Sequence, residues 1–301
     1  MQKQSKTSWG GVADWYEKLL SGEGTYQKQV ILPNLLRLMD IKPGDNVLDL
    51  ACGPGFFSKE FIAKGAKVLG VDISEELIKV ARESVPGGEF KVSSAEFLPF
   101  IKNSSMDKAV IVLALQNIEK ANLVLAECAR VLKPGGTLHL VLNHPAFRNP
   151  KVTSWGWDLS TGSTSSPQAG FPREYSGQAG QVKKDGGVQY RRVDEYLSES
   201  KTKIQMHPGD APEVHTISFH RPLQYYFKLL GKAGFAVTRL EEWNSNRKSE
   251  PGPRAKAEDV ARKEIPLFLY IEAIKLSVIP ALEPESRRSG SRVKPGMTNA
   301  R

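Results

Sequence analysis

Two carboxylates and a pair of glycines carry the clearest chemistry in this chain. The run Val47-Leu48-Asp49-Leu50-Ala51-Cys52-Gly53-Pro54-Gly55-Phe56-Phe57 passes from an apolar strand through a glycine turn toward a helix. Glycine lets a backbone approach a ligand closely, and the first turn of a helix offers unpaired N–H groups. Asp72 closes a second apolar run, Val68-Leu69-Gly70-Val71-Asp72, about twenty residues on. An acid at the end of a second strand is placed to accept both hydroxyls of a ribose. The pattern points to a ligand that contains a nucleoside. A third glycine in dinucleotide spacing would fall at Ser58, so that fingerprint is incomplete. Asp49, just before the turn, disfavours a pyrophosphate and suits an ammonium-bearing ligand, but position alone leaves both readings open. Cys52 and Cys128 lack metal or redox spacing, so no metal site is expected.

Holding these residues in place takes a sheet. Short apolar runs at Asn46–Leu50, Lys67–Val71, Phe90–Val92, Lys108–Leu115 and Thr137–Leu142 read as five strands. Lys108–Leu115 has the continuous apolar character of a strand buried on both faces. Leu123, Val124, Cys128, Val131 and Leu132 mark a helix face that Lys133-Pro134-Gly135-Gly136 terminates. Further on, Pro222 opens a helix with Leu223, Tyr226, Phe227 and Leu230 on one face. Phe235–Leu240 and Leu267–Leu276 add two strands, with a charged helical stretch at Arg254–Glu264 between them. Upstream, Val30, Ile31, Leu35, Leu38 and Met39 predict an amphipathic helix with Pro33 near its start. Strands alternating with helices imply an α/β fold: a Rossmann-like, seven-stranded, mostly parallel sheet with helices on both faces.

The expected organisation is a helical cap over 1–45, a ligand-binding core over 46–145, an insertion over 146–218, completion of the sheet over 219–280, and a basic tail over 281–301. The insertion follows the fifth strand and is rich in Gly, Ser, Pro, Trp and Tyr. A loop of that length inside a compact domain implies a job, so it reads as a lid or substrate-binding region. Trp155, Trp157 and Phe171 argue against full disorder. The formal net charge is +9. Much of the excess lies in Ser286–Pro295, which reads as a solvated tail rather than a nucleic-acid surface. No apolar run is long enough to span a bilayer. Met1–Lys6 has no apolar core after its lysines, so no signal peptide is expected and a cytoplasmic setting fits.

Taken together, these residues resemble the class I S-adenosylmethionine-dependent methyltransferases, in the small-molecule branch called methyltransferase type 11. Val47–Gly55 looks like the family's first motif and Val68–Ser74 like its ribose-binding motif. Ser94-Ala95-Glu96-Phe97-Leu98-Pro99-Phe100 resembles the adenine-side motif, Asp107–Ile118 the fourth strand with its active-site edge, and Val131–Thr137 the approach to the fifth strand. The resemblance implies S-adenosylmethionine as cofactor. Asp49 would meet its amino group, and Gly53 and Gly55 would pass beside its methionine and ribose. Asp72 would hold the ribose hydroxyls, Ile73 would pack on adenine, and Ala95 would offer its N–H to the ring. Gln116 would line the cofactor. Ala51 stands where the family usually has its first glycine, and Ser94 where it usually has an aspartate.

Methyl transfer is an in-line displacement that needs alignment, exclusion of water and often a base. His144, directly after the fifth strand, is the candidate base or substrate anchor; the bland alternative is a structural histidine at a strand end. His220 reads as a cap, a hinge or a substrate contact. Tyr190 and Arg191, with Arg192 beside them, are candidate substrate contacts, since paired arginines clamp anions; the bland alternative is a solvated or salt-bridged pair, with Asp194 or Glu195 as partner. Trp15, Tyr16 and Tyr26 are candidates to close over the cofactor or simply to pack. The expected partner is a small-molecule acceptor, with neither membrane nor nucleic acid. Competing readings are an RNA methyltransferase, a non-catalytic cofactor-binding regulator and, least favoured, a nicotinamide oxidoreductase. Oligomeric state and acceptor atom are not legible.

Overall fold

The computed structural model describes residues 22–158, 188–205 and 214–277, together with Trp9, Lys18 and Leu20. Trp15, Tyr16, Phe171 and the tail after 280 lie outside the described residues.

A π-helical turn, Gln27–Ile31, leads into α1 (Leu32–Met39), which has Pro33 in its first turn. Then follow β1 (Asn46–Leu50), α2 (Phe56–Ala63), β2 (Lys67–Asp72), α3 (Glu75–Ser84), β3 (Glu89–Val92) and β4 (Met106–Val112). Next come α4 (Ala121–Val131) and β5 (Leu132–Asn143). The insertion supplies β6 (Thr153–Asp158), β7 (Val188–Val193), β8 (Ser200–Gln205) and β9 (His215–His220). The chain closes with α5 (Leu223–Lys232), β10 (Phe235–Trp243), α6 (Ala255–Glu264) and β11 (Phe268–Lys275).

Seven strands form one sheet in the order β10-β11-β5-β4-β1-β2-β3. All neighbours from β5 to β3 are parallel, while β11 runs antiparallel between β5 and β10. This is the expected Rossmann-like sheet. The apolar runs of β1 and β4 fit a central position, where both faces are covered. Alternate residues divide between the faces. Leu48, Leu50, Ala109, Ile111, Leu138 and Leu140 pack with α4 and α5, whereas Val47, Val68, Val110 and Val141 pack with α1 and α2. Gly70 in β2 is obligatory, because a Cβ there would lie 2.5 Å from the Phe90 ring and 2.9 Å from Cys52 Sγ.

Two helix faces differ from expectation. Leu123 and Phe227 are exposed, at 40% and 38%. In α4 the stripe that meets the sheet is Ala121, Val124, Leu125, Cys128 and Val131, and Leu123 falls to its side. In α5, Tyr226 and Leu230 take the buried face and Phe227 lies at its rim. The insertion, read from sequence as a lid or substrate-binding region with no strand assigned, holds two antiparallel strand pairs, β6–β7 and β8–β9. Asn117 Nδ2 donates to the Ile217 carbonyl at 2.8 Å, tying β9 to the turn after β4.

Candidate active site

In a parallel sheet the turns after the strands gather at one edge, and there the ligand crevice forms. A cavity of about 250 Å³ lies at the carboxyl ends of β1, β2 and β4. Ala51, Gly53, Asp72, Ile73, Ser94 and Ala95 line it, facing Leu113, Ala114 and Asn117 from the turn after β4. Trp9 also reaches this lining.

Asp72 is the best anchored of these groups. Gly53 N–H donates to one of its oxygens and Ser74 N–H to the other, both at 2.9 Å. The carboxylate thus braces the turns after β1 and β2 together. Ser74 also caps α3, accepting from Leu77 N–H at 3.2 Å, and Glu75 and Glu76 follow in the first turn. Burial pushes the Asp72 carboxyl upward, against the pull of those N–H donors. Beside it Ile73 is 52% exposed, so an apolar surface stands open next to the carboxylate. Ser94 Oγ accepts from Glu96 N–H at 3.2 Å.

Asp49, Gly55 and Gln116 stay out of this lining. Asp49 lies in the floor of the glycine turn, where Ser58 Oγ donates to its carboxylate at 2.6 Å. Burial raises its pKa to about 7, with the Asp72 charge adding to the rise. Ser58 was legible only as the missing third glycine. The Gly55 backbone is left-handed, at φ 83°, and starts α2. Gln116 donates to the Leu113 carbonyl at 2.7 Å and turns toward a second cavity.

Ala51 and Leu113, which flank the first cavity, are also left-handed, at φ 56° and 53°. A side chain in that region costs roughly 1 kcal/mol. Ala51→Gly is therefore expected to stabilise the fold by about 0.5–1 kcal/mol, read from chemical denaturation. A loss of stability would show that the alanine methyl packs well enough to outweigh its backbone.

The second cavity, about 70 Å³, adjoins the first through Asn117. Gln116, His144, Arg148, Phe219, His220 and Tyr226 are among its lining. His144 Nε2 lies 2.7 Å from Glu242 Oε1, while its Nδ1 accepts from Ala146 N–H at 3.2 Å. Both ring nitrogens are engaged, and burial lowers the ring's pKa despite Glu242. His220 Nε2 lies 2.8 Å from the Tyr196 carbonyl. A carbonyl only accepts, so Nε2 carries the proton and Nδ1 of the neutral ring keeps its lone pair. Arg221, buried beside it, donates to the Ile118 and Glu119 carbonyls at 2.9 and 2.7 Å and fixes the turn after β4. Neither Arg221 nor Arg148 carried a sequence signal, because nothing in their local pattern sets them apart from surface arginines.

The remaining substrate candidates separate. Tyr190 is 47% exposed and lies against Gly156 across the hairpin, away from both cavities. Arg191 donates to the Phe147 carbonyl and to Thr153 Oγ1. Arg192, on the opposite strand face, pairs with Asp194 at 2.7 Å. Tyr26 bonds Ser245 Oγ and packs edge-on against Phe268, at a third cavity rather than the first. Among the described residues there is no metal-binding cluster of His, Cys, Asp or Glu, and no helix long and apolar enough to cross a membrane.

Comparison with known proteins gives this edge a context. Residues 48–140 match a family model described as a methyltransferase domain. A demethylmenaquinone methyltransferase of Paenarthrobacter aurescens is 37% identical over 117 residues, which cover 39% of this chain and 44% of that protein. A ubiquinone biosynthesis O-methyltransferase of Xanthomonas campestris pv. campestris is 37% identical over 102 residues, covering 33% of this chain and 43% of its own. The chain thus spans less than half the length of the curated relatives it matches. An S-adenosylmethionine-dependent methyltransferase structure from Mesorhizobium loti superposes with a TM-score of 0.61 at 23% identity, over 84% of this chain and 99% of that one. The sheet order, the glycine turn after β1 and the matched segment agree: residues 48–140 match a methyltransferase domain, and the chain shares the fold of the S-adenosylmethionine-dependent methyltransferase structure it superposes on.

Proposed function

We propose that this chain transfers a methyl group from S-adenosylmethionine to a small-molecule acceptor. One observation carries the reading: the Asp72 carboxylate, the open Ile73 side chain and the Ser94-Ala95 turn meet in one cavity. Each Asp72 oxygen accepts one N–H bond and keeps a lone pair for a ribose hydroxyl. Ile73 would pack on the adenine, Ala95 N–H would bond its edge, and Ser94 would flank it. Ala51, Gly53 and Gly55 would shape the turn beside the methionine part, with Asp49 below it meeting the amino group through water. When bound, the cofactor supplies a sulfonium methyl and its sulfur leaves as a neutral thioether.

The acceptor would enter the second cavity, on the far side of Asn117. There His220 Nδ1 is the better placed base, since both nitrogens of His144 are taken; His144 would orient the wall through Glu242. In this reading Trp9 and the β8–β9 strands cover the crevice, and Gln116 belongs to the acceptor side. The relatives' names, a demethylmenaquinone and a ubiquinone methyltransferase, favour a ring of the quinol class as acceptor. Mass analysis after incubation with S-adenosylmethionine and hydroquinone or catechol tests this directly. His220→Ala should lower kcat about a hundredfold and leave the KM for S-adenosylmethionine unchanged. A wild-type kcat in that variant would remove His220 from the mechanism. No saturable binding of S-adenosylmethionine would overturn the whole reading.

A further inference from the structure

A third cavity, about 240 Å³, lies between the N-terminal segment, the β6–β7 hairpin and the turn before β11. Tyr26, Phe147, Trp155, Ile265, Pro266 and Leu267 give it an apolar wall, and among the described residues Arg148 and Arg191 supply its only charges. Arg148 lines the second cavity as well, so the three cavities adjoin in a row, Asn117 shared by the first two and Arg148 by the last two.

Among the described residues neither guanidinium makes an ion pair, whereas the neighbouring Arg192 is neutralised by Asp194. Arg191 is held by the Phe147 carbonyl and Thr153 Oγ1 at 2.9 and 2.7 Å, with its guanidinium over the Trp155 ring. Arg148 lies over the Phe268 ring, and none of its guanidinium N–H groups meets an acceptor among the described residues. The residue as a whole is exposed, its guanidinium lining the cavity, and desolvation there together with the Arg191 charge holds its pKa below the ordinary value. Two like charges that face one cavity, with no carboxylate among the described residues of its lining, make it a place where an anion is attracted.

The geometry points to an anion subsite in this third cavity, in which Arg148 and Arg191 bind the carboxylate of an acceptor whose apolar body lies against Phe147, Pro266 and Leu267. The assignment of that molecule as methyl acceptor rests on the methyltransferase reading; the subsite itself does not. Arg148 is then a specificity-determining residue, because it touches both the anion cavity and the cavity that holds His220. Of the two readings of the Arg191-Arg192 pair, Arg192 takes the salt-bridged one with Asp194, strand alternation turning it outward, and Arg148 stands with Arg191 instead.

Calorimetric titration of the full chain with benzoate, benzamide, inorganic phosphate and, separately, S-adenosylmethionine tests the assignment. Benzoate should bind saturably, with benzamide and phosphate each weaker by roughly tenfold or more. Arg148→Ala should weaken benzoate by a similar factor while leaving S-adenosylmethionine affinity unchanged; a thermal melt accompanies it, because the guanidinium also covers the Phe268 ring. Arg192→Ala should change neither ligand. Equal binding of benzoate and benzamide, benzoate binding indifferent to Arg148→Ala, or tighter binding of phosphate than of benzoate would each overturn the carboxylate subsite. S-adenosylmethionine binding without benzoate binding would remove the subsite and spare the methyltransferase reading. Benzoate binding without S-adenosylmethionine binding would do the reverse.

Discussion

Asp72→Ala is expected to weaken S-adenosylmethionine about a thousandfold in calorimetric titration. The estimate takes two charge-assisted hydrogen bonds to the ribose, each contributing about 1.5–3 kcal/mol in a site closed to bulk water. The same substitution frees Gly53 N–H and Ser74 N–H, so a thermal melt must accompany the titration. Asp72→Asn separates the effects. Its amide oxygen still accepts one backbone N–H and restores part of the brace, but its charge is gone and one ribose hydroxyl loses its acceptor. Binding should stay weak in both variants, while the melting temperature recovers toward wild type only in the asparagine. Unchanged affinity in either one would show that the ribose does not lie against Asp72.

That Asp72 could be singled out from sequence follows from where parallel strands must put their ends. Once β1 and β2 are adjacent, the turn at Gly53 and the acid closing β2 meet at one edge. The strand runs were readable because burial on both faces leaves long apolar stretches. The insertion hid its strands for the opposite reason. β8 and β9 alternate in burial, but the inward positions of β9 are Thr216, Ser218 and His220, so period-two burial is not matched by period-two hydrophobicity. Arg148 was silent because its role depends on Arg191, which lies 43 positions away and reaches it only when the hairpin folds back. Gln116 shows the limit at single-residue scale. Its place after β4 was legible, but the 3-10 turn Leu115–Asn117 turns it toward the second cavity and leaves Asn117 shared between the two.

Asp49→Asn should act in opposite directions on stability and on cofactor affinity. The Asp49 carboxyl is completely enclosed, with Ser58 Oγ as its hydrogen-bond donor and the Asp72 charge raising its pKa further; burial is the main cause of the rise to about 7. An unfolded chain would release this proton near pH 4. Between those values the folded state binds more protons than the unfolded one, so stability falls as pH rises and levels off above about 7. Over that window of about three units the loss is of order 4 kcal/mol at most, at about 1.4 kcal/mol per unit. Asp72 is shifted in the same direction, and subtracting the variant's pH profile from that of wild type isolates Asp49. The asparagine, which has no charge to bury, should be more stable than wild type at pH 8, with the gap narrowing to less than half of that at pH 5. Its affinity for S-adenosylmethionine should nevertheless drop, because the amino group of that ligand needs the ionised carboxylate. In wild type the same requirement makes affinity climb about tenfold per pH unit up to about 7 and then level off. Denaturation curves and titrations at pH 5, 6, 7 and 8 read both effects. A variant that gains stability without losing affinity would leave Asp49 as a buried structural acid. A carboxylate kept in the floor of the turn at a cost to folding, and repaid only when a cation arrives, is the mark of a binding group.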